Sequence, residues 1–197
     1  MHLLWSENVC HRDISIGNIT YRKDANGNFK CGILNDWDLS GIDGKDKESL
    51  FRTGTMAFLA RDFLKGEETA YFERHDLESV FFALVWNVTR YENGVAMDTD
   101  ALIGWADVND EFSCDSKNSY ITVADKRPKL GTTFSKLYWH WIYPLASVFF
   151  RGVTAKHDNQ REVMLGKPPI DEETLGGNVI YEKIWAILKE GLPESLL

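Results

Sequence analysis

The sequence is poor in cysteine. It has three, Cys10, Cys31 and Cys114, and their spacing matches neither a disulfide framework nor a zinc site. A reducing, intracellular compartment, cytoplasmic or nuclear, is the simpler expectation. Long apolar runs are missing too. The longest candidate, Val80–Trp86, covers seven residues, far short of a membrane span, and no secretory signal opens the chain. Basic residues are outnumbered: 22 Lys and Arg against 30 Asp and Glu give a net charge of −8, which argues against a general nucleic-acid binder. Repeats and low-complexity segments are absent. What remains is ordinary globular composition, 44% hydrophobic and 26% charged, over 197 residues, enough for one domain with a full core. Seven Trp and eleven Phe point to a large core or a groove.

Along the chain, Leu3-Leu4-Trp5 reads as the end of an apolar helix. Short β-like runs at 18–22 and 29–34 flank Asn26-Gly27, the strongest short hairpin signal. Residues 40–54 read as an extended Gly-rich loop. From Asp76 to Arg90 the residues are apolar all round, which predicts a central helix with Asp76 as its N-cap and Asn93-Gly94 as its end. Residues 107–131 read as polar and irregular. Phe134, Leu137, Tyr138, Trp141, Ile142, Leu145 and Phe149 form a helical core stripe that Pro144 is expected to break near Tyr143, with His140 a packed ring. Asp171-Glu172-Glu173 reads as a solvated helix start, and Ile180, Ile184, Ile187 and Leu188 as a last amphipathic helix entered at Asn178. The histidines show no metal-ligand spacing.

Four clusters carry chemistry. His11-Arg12-Asp13-Ile14-Ser15-Ile16-Gly17-Asn18 sets an Asp five positions before an Asn, the pattern of a catalytic loop in which the Asp aims an attacking hydroxyl and the Asn oxygen ligates magnesium. Asp36-Trp37-Asp38 follows the hairpin 23 residues after Asp13, at the place of a magnesium-binding Asp-Phe-Gly triplet. Trp37 keeps a bulky anchor, and Asp38 gives up the easy positive φ of glycine. Arg52-Thr53-Gly54-Thr55-Met56-Ala57-Phe58-Leu59 then leads to Ala60-Arg61-Asp62, where Ala-Pro-Glu would stand. The Thr55 hydroxyl is expected to face Asp13, and Asp62 to form a structural ion pair. His75-Asp76-Leu77-Glu78-Ser79 opens the buried helix.

Together these clusters resemble the fungal-type protein kinase family, over about residues 8–150, with Lys136–Phe150 included and 151–197 left as a helical tail. The resemblance implies a protein kinase-like α+β fold. The chain would be a single domain, 1–197, forming a mainly helical C-lobe with a small β-hairpin. It implies phosphoryl transfer from Mg-ATP to Ser or Thr hydroxyls of a protein substrate. Asp13 and Thr55 would be catalytic, and Asn18 and Asp36 would hold magnesium and nucleotide. His11, Arg12, Trp37, Asp62 and Asp76 would be structural, with Asp76 holding the catalytic loop. Ser15 stands where Ser/Thr kinases usually carry Lys. Arg12 would contact an activation-loop phosphate on Ser40, Ser49 or Thr53. Only ten residues precede His11, and no G-x-G-x-x-G followed by a strand Lys appears. The expectation is therefore a chain without an N-lobe, a truncated or partial form that binds Mg-ATP weakly and turns over negligibly alone. The alternatives are a non-catalytic kinase-like binding module and a small-molecule phosphotransferase of the aminoglycoside-kinase type. Arg12, Gly54-Thr55 and Asp76 favour a protein kinase over the latter.

Overall fold

A computed structural model describes residues 2–7, 9–42, 54–65 and 70–190. The chain divides into two compact units, Met1–Asn87 with Ile103–Cys114, and Val88–Leu102 with Asp115–Leu197. It is mostly helical, and among the described residues six strands pair as three two-stranded antiparallel ladders.

In the first unit a short helix, α1 (His2–Trp5), leads into β1 (Val9–Cys10). The hairpin follows as β2 (Ile19–Lys23) and β3 (Phe29–Leu34), in register from Ile19 opposite Leu34 to Arg22 opposite Cys31, with an irregularity at Lys23. Its turn is organised by Asp24. The Asp24 Oδ1 accepts the amides of Asn26 (2.8 Å) and Asn28 (2.9 Å), and Gly27 takes the positive φ of 84° that the turn needs. β4 (Gly41–Ile42) lies within the segment expected to be loop and pairs with β1, Cys10 opposite Gly41. This ladder joins the chain before the His11–Asn18 loop to the chain after Asp36-Trp37-Asp38.

The long helix α2 spans Glu73–Arg90, so it starts three residues before the expected N-cap. Asp76 lies inside the first turn and is completely buried. The residues before it are held in the turn by tertiary and local partners, Arg74 pairing with Asp62 and His75 Nδ1 accepting the Phe72 amide. Leu77, Phe81, Phe82, Ala83 and Val85 are buried, as a helix apolar all round requires. Phe82 meets the Trp105 ring edge-on at 4.9 Å and Phe58 meets Trp86 at 5.6 Å.

In the second unit, Asn93-Gly94 does not end the helix. It forms the positive-φ turn of a small hairpin between β5 (Tyr91–Glu92) and β6 (Val95–Ala96). The segment read as irregular contains α3 (Asp110–Thr122), which runs from the first unit into the second. Asn109 caps it, its Oδ1 accepting the Phe112 amide at 2.9 Å. Ser113, Cys114, Lys117, Tyr120 and Ile121 form its buried face, a helical stripe in which two of the five residues, Ser113 and Lys117, are polar.

Pro144 does not stop the next helix. A short α4 (Ser135–Leu137) passes into a π-helical turn at Tyr138–Ile142 and then α5 (Tyr143–Met164), so the helical run extends past Phe149. Proline offers no N–H to the ladder, and the wider π turn just before it accommodates that loss. Ile142, Leu145 and Phe149 are buried as expected, whereas His140 is exposed rather than packed. Asp171 begins a turn rather than a helix, its carboxylate accepting from the Glu173 amide and the Thr174 hydroxyl. α6 (Tyr181–Glu190) closes the described chain, with Ile184 buried. α5 meets the 175–179 turn at Gly152, where an added Cβ would lie 2.8 Å from Val179 Cγ2 and 2.9 Å from Leu175 Cδ1.

Gly152→Ala is therefore expected to lower stability by about 1–3 kcal/mol through overpacking, although alanine favours helix by about 1 kcal/mol. Urea unfolding of the purified chain reads this. A variant as stable as the parent would mean that Val179 and Leu175 give way freely.

Candidate active site

The site begins with a polar, β-branched sequence that cannot form a regular element. Residues 11–18 run between β1 and β2, and their backbone groups need partners outside secondary structure. Asp76 supplies them. Its Oδ2 accepts the His11 amide (2.9 Å) and the Trp5 indole N–H (3.2 Å). Its Oδ1 accepts the Arg12 amide (3.2 Å) and the Tyr71 hydroxyl (2.6 Å). One buried carboxylate thus holds the loop entrance to the first turn of α2. Burial, with the Asp76 charge next, pushes the Tyr71 hydroxyl well above its ordinary pKa, so it remains a donor.

Two residues of this site take left-handed backbone without being glycine: Arg12 (φ 71°) and Asp36 (φ 62°). Each such residue costs on the order of 1–3 kcal/mol and persists only where surroundings fix it. The hydrogen bond from Arg12 N–H to Asp76 fixes the first. Around the second, Asn35 N–H donates to the Asn18 carbonyl (2.8 Å), and the fully buried His11 ring places Nε2 2.9 Å from the Asn35 carbonyl. Trp37 meets the His11 ring edge-on at 4.5 Å and donates Nε1–H to the Leu34 carbonyl. Trp37 is therefore the expected bulky anchor. Asp38, expected to give up the positive φ of glycine, does so, and Asp36 carries a positive φ instead.

Asp13 is half-buried at the centre. Its Oδ1 accepts both the Thr55 amide (2.9 Å) and the Thr55 hydroxyl (3.0 Å), as expected from the Gly-Thr motif. The Asn18 side-chain amide donates to the Asp13 carbonyl (2.9 Å) and to Oδ2 (3.3 Å). Gly54, with φ 112°, allows this approach, since a Cβ there would stand 3.0 Å from the Arg12 carbonyl. The structure thus gathers Asp13, Asn18 and Thr55 by direct bonds and sets Asp36 beside them through Asn35. The Arg12 side chain turns away, with its guanidinium over the Tyr71 ring at 5.7 Å and against Gly41. Ser40 bonds through its amide to the Trp37 carbonyl, while Ser49 and Thr53, like Arg52, lie outside the described residues.

The donor set suits a hard divalent cation. Asn18 uses its amide nitrogen on Asp13, which leaves the oxygen for a metal, and the exposed Asp36 carboxylate makes no hydrogen bond among the described residues. No group of three or more His, Cys, Asp or Glu side chains forms a metal cage among the described residues.

Two ion pairs support the site, and one was not legible. Asp62 finds its partner in Arg74, Nη2 to Oδ2 at 2.8 Å, and also meets Lys65 at 2.8 Å. Burial pushes the Asp62 carboxyl up, but the approach of His75 and the charges of Arg74 and Lys65 outweigh it and hold it below the carboxylate range. The second is a fully buried pair, Arg61 with Glu78. Arg61 donates N–H (3.0 Å) and Nε–H (2.7 Å) to Oε1, and Nη2–H (3.3 Å) to Oε2. Burial raises the Glu78 carboxyl, but the Arg61 charge and bonds more than offset this and lower it. Its only sequence signal is an Arg and a Glu flanking motifs already singled out. His75 is buried, which lowers its affinity for a proton despite Asp62 nearby, and its Nδ1 accepts the Phe72 amide (3.0 Å).

A carboxylate aimed by two neighbours, beside free oxygen ligands on a loop anchored from a helix, is a kinase-like constellation. Residues 1–88 match the family described as fungal protein kinase. Among solved structures, the Cydia pomonella granulovirus kinase PK-1 is similar at 24% identity with a TM-score of 0.34, over 49% of this chain and 33% of that one. No curated protein matches the sequence. No described helix is long and apolar enough to cross a membrane.

Asp76→Ala leaves four donors without an acceptor and is expected to cost about 3–5 kcal/mol, with Asp76→Asn costing less because one acceptor oxygen remains. Urea titration followed by tryptophan fluorescence distinguishes them; equal, small losses would mean that water replaces the carboxylate.

The pH dependence has two limbs. The depressed His75 makes the folded state a poorer proton acceptor than the unfolded chain, so stability is whole above about pH 6.5 and falls as pH drops below it. Asp62 and Glu78, lowered in the fold, contribute fully above about pH 4.5 and are lost on further acidification. Melting temperatures from about pH 2.5 to about pH 8 should show both limbs, and His75→Gln should remove the upper one.

Proposed function

We propose that the chain is the catalytic-loop portion, or C-lobe, of a protein kinase that transfers a phosphoryl group from Mg-ATP to a Ser or Thr hydroxyl of a protein substrate. The observation that carries this reading is the pair of hydrogen bonds that the Thr55 amide and hydroxyl donate to Asp13 Oδ1, with Asn18 donating to the same carboxylate and its own oxygen left over. In this reading Asp13 accepts a hydrogen bond from the attacking hydroxyl and aims it. Thr55 and Asn18 keep the carboxylate from rotating, so the orientation is established before substrate arrives. Thr55 also stands where an acceptor chain would pass. Asn18 and Asp36 are the residues that would hold magnesium, which when bound supplies charge to the nucleotide phosphates. Trp37, packed on His11, and the Asn35 backbone set the direction of Asp36. Phosphoryl transfer depends on positioning and charge stabilisation, and no Gly-rich loop with a strand Lys occurs in the 197 residues. The transfer would then draw on a nucleotide-covering segment beyond those residues.

Manganese with ATP is expected to broaden the NMR signals of Asn18 and of residues 35–37 first, and Asp36→Asn to abolish the effect. Broadening confined to other surface acids would overturn the metal assignment. Incubated alone with Mg-ATP, the 197-residue chain should show negligible turnover; autophosphorylation that Asp13→Ala removes would contradict the need for a further segment.

A further inference from the structure

The second unit carries a cavity of its own. It has a volume of about 430 Å³, and its lining includes Asp125, Arg127, Pro128, Lys129, Leu130 and Trp139. Its floor is built rather than incidental. Arg127 is held by the carbonyls that end α3, Nε–H to Tyr120 (2.8 Å) and Nη2–H to Ile121 (2.9 Å), and lies over the Tyr120 and Tyr143 rings at 5.5 and 5.6 Å. That is a cation fixed in place at little further entropic cost. On the other wall, the π-helical turn presents Trp139, which is 68% exposed and touches Tyr138 and Tyr143. Exposed tryptophan is uncommon outside binding surfaces, and π turns recur at functional sites.

The charge is also unlike the rest of the molecule. Between residues 123 and 139 four basic residues (Lys126, Arg127, Lys129, Lys136) face one acid, Asp125, in a chain of net charge −8. Among the described residues Lys126, Lys129 and Lys136 form no ion pair. Screening decides what such a patch can attract. Beyond about 8 Å at physiological salt the local charge is what counts, so a short anionic segment is drawn to the patch. An extended polyanion or an anionic membrane would also meet the acidic remainder.

We propose that this cavity binds an acidic peptide segment of a protein partner, with one aromatic or aliphatic side chain seated against Trp139, Pro128 and Leu130 and flanking carboxylates on Lys129 and the Arg127 wall. The volume accommodates a large side chain and its backbone, and ligand pockets of this size pair an apolar lining with a few placed polar groups. The proposal is independent of the phosphotransfer reading, since none of its residues belongs to that site.

The test is fluorescence anisotropy of the full chain with a fluorescein-labelled peptide Glu-Glu-Phe-Glu-Glu. The controls are Glu-Glu-Gly-Glu-Glu, Lys-Lys-Phe-Lys-Lys and a single-stranded oligonucleotide of equal charge. The acidic Phe peptide is expected to bind about tenfold tighter than each control, and to weaken when salt rises from about 0.05 to 0.5 M. Lys129→Glu and Trp139→Ala should each weaken it by about fivefold or more while thermal unfolding stays unchanged. Should Trp139→Ala unfold, Lys129→Glu decides. Binding no tighter than the controls, tighter binding of the oligonucleotide, or unchanged affinity in a folded Lys129→Glu variant would overturn the proposal.

Discussion

One buried carboxylate organises the candidate site. Asp76 offers two oxygens inside the first turn of α2, and each oxygen accepts two donors: the His11 and Arg12 amides from the loop, the Trp5 indole, and the Tyr71 hydroxyl. A carboxylate removed from water is tolerable only when its lone pairs are filled, so the loop and the helix need each other. Because α2 is the apolar centre of the first unit, the loop inherits the rigidity of the core. The strained backbone at Arg12 is possible for this reason.

The same logic extends outward. The Arg61–Glu78 pair and the Asp62–Arg74 pair tie the 55–64 segment to the first turns of α2, the helix that anchors residues 11 and 12. Thr55 and Asp13 are therefore both referenced to α2, although 42 residues separate them in sequence. The two amide–carbonyl and ring contacts around Asn35 and Trp37 bring the third cluster to the same frame. Three short polar motifs become one constellation because they share a support, and each alone would be a solvated turn.

Much of this was legible. The hairpin at 19–34 follows from Asn26-Gly27 and β-branched flanks, and its register confirms the spacing. The Thr55–Asp13 contact and the Trp37 anchor follow from motif order. Other features were hidden for identifiable reasons. The α3 stripe uses Ser113 and Lys117, which a search for apolar periodicity passes over. The helix start at Glu73 was obscured because Asp76 resembles an N-cap, whereas its carboxylate is spent on long-range donors. Asn93-Gly94 fits either a helix end or a type I′ turn, and only the pairing of Tyr91 with Ala96 decides between them. Pro144 signals a break in any local reading, since the π turn that absorbs it is invisible in composition.

The sequence by itself determined the kinds of chemistry available: an Asp five residues before an Asn, a second Asp after a hairpin, a Gly-Thr pair, and an apolar helix to carry them. These are short-range patterns, set by residue type and spacing. The tertiary structure decided which oxygen each donor reaches, that Asp62 answers to Arg74 and Arg61 to Glu78, that positive φ falls on Asp36 rather than Asp38, and that basic and aromatic residues of the second unit line a common cavity. Those outcomes depend on burial and on contacts across tens of residues, where the cost of an unsatisfied buried polar group, rather than local preference, selects the partner.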